Sequence, residues 1–134
     1  MVQPGISWHR VNQEDFSFAL PTELALVDGN APDTHIVQYQ GQDMIVTINE
    51  GVYAGEHLDS LSKYRNYTSD VDVIHGVGVQ IVSFDIPPGP GHRFNYAIAA
   101  SYRGLGLTMY IHCKSKDDYK TATKIFKTVK SKLL

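Results

Sequence analysis

Apolar and polar residues alternate with a period of two over most of this chain and switch to helical spacing only twice. Residues 6–11 have the pattern of a short strand, and the polar residues 12–15 that of a turn. Phe16-Ser17-Phe18-Ala19-Leu20 alternates and meets Pro21, which cannot donate to a ladder, so this strand is expected at a sheet edge. Residues 24–27 form a short extended piece, and Asp28-Gly29-Asn30-Ala31-Pro32-Asp33 is a loop by composition. Residues 35–40 and 44–50 then alternate on either side of Gly41-Gln42-Asp43, a common hairpin length. In the second arm Met44, Val46 and Ile48 are expected to face the core.

Residues 51–57 lack a period. From Leu58 to Tyr67, Leu58, Leu61, Tyr64 or Arg65, and then Thr68 recur at helical spacing, which predicts a short mid-chain helix ended by 66–72. A short strand is expected over 71–74. Residues 77–86 carry apolar side chains on both faces, Val77, Val79 and Ile81 against Val82, Phe84 and Ile86. Such a strand belongs in the sheet centre, covered on both sides. Pro87-Pro88-Gly89-Pro90-Gly91-His92 must be a loop. Over 93–102 one face is large (Phe94, Tyr96, Ile98, Ala100, Tyr102) and the other small (Asn95, Ala97, Ala99, Ser101). The small face lets a helix approach the sheet closely. Arg103-Gly104-Leu105-Gly106 turns the chain into a last strand, 107–114, with Leu107, Met109, Ile111 and Cys113 on one face. A helix over 116–132 follows, with Ser115 as N-cap and Asp118 three residues on. Its apolar stripe is Tyr119, Ala122, Ile125, Phe126, Val129 and Leu133.

Composition adds bounds rather than a reaction. The 134 residues are 43% hydrophobic, enough to bury one core, so a single domain over 1–134 is expected. The net charge of −2 gives no field that would draw a polyanion. The one basic cluster, Lys116, Lys120, Lys124, Lys127, Lys130 and Lys132, is the solvated face left over by the helix stripe, so no nucleic-acid partner is expected. The single cysteine precludes an internal disulfide. No stretch approaches the roughly 20 apolar residues of a membrane span.

The "FSFALP" opening, the hairpin, the mid-chain helix, the three long strands and the "ATKIFKTVKSKL" ending resemble the PsbP-like and DcrB-like superfamily, a fold shared with the Ran-binding Mog proteins. The resemblance covers most of the chain in the order of its elements. It implies an α+β protein, an α/β/α sandwich on a mostly antiparallel sheet with a mid-chain helix and a C-terminal amphipathic helix. The family includes photosystem II subunits, bacterial lipoproteins, nuclear-import factors and chaperones of secreted effectors, so the likeness does not choose among functions. It implies a bacterial protein exported to the periplasm or the outside after loss of a targeting segment; a cytoplasmic location is the alternative.

Candidate chemistry is sparse. His9, His35, His57, His75, His92 and His112 form no metal-ligand spacing, and no metal or other cofactor is expected. Cys113 sits in an apolar row and has the character of a small hydrophobe, while His112 points to the opposite face. No Gly-x-Ser-x-Gly elbow occurs. Gly76-Val77-Gly78 lacks the third glycine and the following helix of a dinucleotide site. Asn66-Tyr67-Thr68 matches a glycosylation sequon, a triplet common by chance. With no catalytic constellation, the expected function is a non-enzymatic, partner-binding domain. Its candidate binding residues are Pro88, Pro90, His92 and Arg93 of the proline-rich loop, where restricted conformations lower the entropy cost of binding, with Tyr53 and Tyr64 as an aromatic group. Two alternatives stand beside it. One is a small-ligand or lipid-binding domain with a cleft between the sheet and the mid-chain helix. The other is a cytosolic homodimeric chaperone of a secreted effector.

Overall fold

A computed structural model of the protein describes residues 7–13, 15–27, 36–50, 58–89 and 94–132. Its strands are β1 (Trp8–Asn12), β2 (Phe16–Pro21), β3 (Ala25–Leu26), β4 (Ile36–Gln40), β5 (Met44–Glu50), β6 (Arg65–Ile74), β7 (Val77–Asp85), β8 (Tyr96–Tyr102), β9 (Leu107–Cys113) and β10 (Lys130–Ser131). One α-helix, α1 (Tyr119–Lys127), and two 3-10 turns, Leu58–Lys63 and Lys116–Asp118, complete the described elements. The small sheet has the order β1-β2-β10 and the large one β3-β4-β5-β9-β8-β7-β6. Every pairing within the two sheets, among the described residues, is antiparallel, so the class is α+β on an antiparallel sheet.

Strand parity builds the core. Val46 and Ile48 of β5, Val79 of β7, Ile98 and Ala100 of β8 and Met109 and Ile111 of β9 share one face of the large sheet and are buried. Phe16, Phe18 and Leu20 of β2 and Ala122, Ile125 and Phe126 of α1 close over that face. On the opposite face Val82, Phe84, Ala97 and Ala99 are buried under Leu58, with Leu61, Tyr64 and Tyr110 packed around them. The two-faced apolar pattern of β7 therefore serves two cores.

Several expectations need correction. The helix predicted over 58–67 is only the six-residue 3-10 turn Leu58–Lys63. Leu58, Leu61 and Tyr64 recur at a strict interval of three, which lines up along a 3-10 helix as well as it does along an α-helix. The residues expected to end that helix, and the short strand after them, form the ten-residue β6. A two-residue turn, His75 at φ 48° and Gly76 at φ 81°, joins β6 to β7. β7 is covered on both faces but lies next to the edge strand β6 rather than in the sheet centre. β2 is the middle strand of the small sheet, not an edge. Its proline is tolerated because β10 pairs only with Ser17 and Phe16, leaving the Pro21 end open on that side.

The C-terminal helix is also shorter than expected. Ser115 caps the first turn, its Oγ accepting the Asp117 amide at 3.1 Å. At the other end Thr128 stops the helix. Its amide reaches back to Ile125, and its Oγ accepts the Ala19 amide of β2 at 2.8 Å. The chain then leaves as β10, so residues 130–131 pair with β2 instead of completing a helix. The basic residues Lys116, Lys120, Lys124, Lys127, Lys130 and Lys132 are all exposed. Gly104 at φ 81° and Gly106 at φ 60° make the β8–β9 turn.

The outer edge of β6 bears Asp70 and Asp72, a register shift between Arg65 and Thr68, and a Val73 amide satisfied by the Asp72 carboxylate at 2.7 Å. Charge, an irregular ladder and a self-capped amide all discourage edge-to-edge pairing, although Val71 and Val73 are exposed beside them.

Candidate functional site

The cleft on the second face of the large sheet follows from the size alternation of β8. Phe84 pairs with Ala97, Ala97 with His112, and His112 with Ile45, giving a row across four strands with its smallest member second. The next row sets Val82, Ala99, Tyr110 and Thr47 side by side. The alanines admit the Leu58–Lys63 turn, whose Leu58 is fully covered. Between that turn and the larger side chains of β9 and β5 an open cleft of about 690 Å³ remains.

Gln38, Ile45, Tyr110 and His112 line the sheet side of the cleft, Leu61 and Tyr64 the turn side, and Phe84, Ile86, Pro87 and Phe94 the end. Tyr64 stacks on Phe84 at 4.9 Å with ring planes 25° apart, which fixes the wall. Its amide is held by the Leu61 carbonyl at 3.0 Å. Gln38 is oriented by a hydrogen bond from its Nε2 to Thr47 Oγ1 at 3.1 Å. Burial lowers the pKa of His112 and raises that of Tyr110. Both are therefore uncharged at neutral pH. The lining is a mostly apolar and aromatic wall with a few convergent polar groups, as in small-molecule sites.

A second recess, about 440 Å³, adjoins the first and shares Ile86 and Pro87 with it. Pro88, Arg65, Asp85, Asn95 and Tyr96 complete its walls. Of the binding residues expected from sequence, Tyr64 thus lines the main cleft and Pro88 the adjoining recess. Tyr53, Pro90, His92 and Arg93 lie outside the described residues. Sequence reasoning missed Gln38, Ile45, Phe84, Tyr110 and His112 as a group. The available signal was the small face of β8 beside Tyr110 and His112, polar-tipped residues on the face turned away from the main core.

Cys113 lies in the other core with no exposed surface. Burial, aided by the Asp118 carboxylate, pushes its thiol pKa up to about 12. That holds it as a neutral hydrophobe and argues against a nucleophile. His9 sits on β1, His75 in the β6–β7 turn and His112 in the cleft, so these three are dispersed. His35, His57 and His92 lie outside the described residues.

Comparison of the sequence with protein-family models and with curated proteins finds no match. Comparison with solved structures finds the solution structure of cyanobacterial PsbP from Synechocystis. The two agree with a TM-score of 0.61 over 96% of this chain and 94% of that one, at 11% sequence identity. The likeness is one of fold: this chain has a PsbP-like fold.

Proposed function

We propose that this PsbP-like domain is a non-enzymatic binding protein that holds an apolar guest in the cleft between the large sheet and the Leu58–Lys63 turn. The observation that carries this reading is the 690 Å³ cleft itself, open to solvent and walled by Ile45, Leu61, Tyr64, Phe84, Ile86 and Phe94. Its volume falls in the range of about 300–1,000 Å³ typical of ligand sites. Of the readings open from sequence, this is the ligand-binding one. Export to the periplasm or the outside remains part of the proposal and is supported by the family resemblance.

Titration with Nile red, a neutral dye that brightens in apolar surroundings, tests it. Saturable binding is expected in the wild type and its loss in Ile45→Trp, which fills the cleft from β5. Equal binding by a folded Ile45→Trp variant, or none by the wild type, would refute the reading.

A second reading, docking of a partner protein, is favoured by one feature. Pro87, Pro88 and Gly89 are exposed beside the recess that adjoins the cleft. A stiff, exposed ridge next to an apolar hollow suits a protein contact. Recovery of a specific protein from native extract, and its loss with Pro88→Asp, would support docking over ligand storage.

A further inference from the structure

We infer that the guest of the cleft is an uncharged hydrophobe carrying a hydroxyl or carbonyl group, and not a fatty acid or a phospholipid; this rests on the cleft being the binding site. Among the described residues, none of those lining it is Lys, Arg, Asp or Glu. Lys63, whose Nζ sits 5.6 Å from the Tyr64 ring centroid, and Arg65, in the adjoining recess, both lie outside the lining. A carboxylate or phosphate entering here would lose water without gaining an ionic partner from the described lining, the most costly kind of burial.

The polar groups that do line the cleft are neutral and of mixed sense. Gln38 gives one of its two amide N–H groups to Thr47, which leaves its second N–H as a donor and its carbonyl oxygen as an acceptor. Among the described residues the His112 imidazole and the Tyr110 hydroxyl have no hydrogen-bond partner. A neutral imidazole offers one donor and one acceptor, and a phenol offers both. A hydroxyl on the guest can donate to the glutamine or to the unprotonated imidazole nitrogen. A guest carbonyl can accept from the imidazole N–H or from the phenol. The remaining walls are aliphatic or aromatic, with the Tyr64 hydroxyl as one further donor and acceptor, and otherwise ask for apolar surface.

Displacement of Nile red by two ligands of equal chain length, 1-decanol and decanoate, decides the matter at neutral pH. Decanol is expected to bind at least about tenfold more tightly than decanoate. Ile45→Arg, which puts a cation into the lining, is expected to reverse that order, with circular dichroism reporting that the variant is folded. Equal or tighter binding of decanoate by the wild type, abolished by Ile45→Trp, would overturn the neutral guest while leaving the cleft as the site. Binding of Nile red that neither ligand displaces would overturn the inference alone. Failure of Nile red and both ligands to bind at all would overturn the inference and the cleft reading together.

Discussion

The Tyr102 hydroxyl donates to the Phe126 carbonyl at 2.6 Å, deep between β8 and the last turn of α1. Both side chains are buried, so this bond ties the helix to the sheet where no water competes. Burial drives the Tyr102 pKa upward, so the phenol stays protonated and keeps its donor. Tyr102→Phe removes the bond with little change in packing. It is expected to lower stability by about 1–2 kcal/mol, since Phe126 retains a weaker bond from Val129 at 3.4 Å. Urea denaturation measures this. An unchanged midpoint would show that the bond contributes nothing.

Thr108 presents the opposite situation. Its Oγ1 is buried and has no hydrogen-bond partner among the described residues. A hydroxyl stripped of water and left unpaired costs about 1–3 kcal/mol. Valine has nearly the same shape and β-branching suited to β9. Thr108→Val is therefore expected to raise stability by about 1 kcal/mol, seen as a higher urea midpoint. A loss of stability would mean that the hydroxyl is satisfied.

Cys113 has no exposed surface, and its thiol pKa is pushed up to about 12. Ellman's reagent at mildly alkaline pH is expected to leave the native thiol unreacted and to titrate it fully in denaturant. Fast reaction of the folded protein would contradict the burial of the β9 row beneath α1.

His112 sets a pH dependence with a definite sign. Burial holds its folded pKa below the ordinary value of 6.5, so the unfolded chain binds the proton more readily. The stability contributed by this group is fully present above 6.5 and is lost as pH falls through the lowered folded value. Wild type compared with His112→Leu in thermal melts is expected to show an extra acid-side loss. Parallel melting profiles down to mild acid would contradict it.

How much was legible in sequence depends on the period. The hairpin of β4 and β5, the two faces of β7 and β8, and the row Leu107, Met109, Ile111, Cys113 were readable, because a period of two fixes which side chains share a face. Leu58, Leu61 and Tyr64 misled because an interval of three fits a 3-10 turn and an α-helix alike. The end of α1 was hidden because Thr128 exchanges a helical position for a bond to Ala19, 109 residues away. The cleft was half visible. Ala97 and Ala99 announced a close approach, but the hollow beside them depends on registers that bring Phe84, His112 and Ile45 into one row. No local pattern encodes that alignment.

The most direct test of the cleft as the binding site is a methyl-resolved NMR titration of the wild type with 1-decanol. Saturable shifts are expected at Ile45, Leu61 and Ile86, which line the cleft, while Ile125 and Val129 beneath the other face stay unmoved. Shifts confined to Ile125 and Val129, or no saturable shift at any of these methyls, would contradict it.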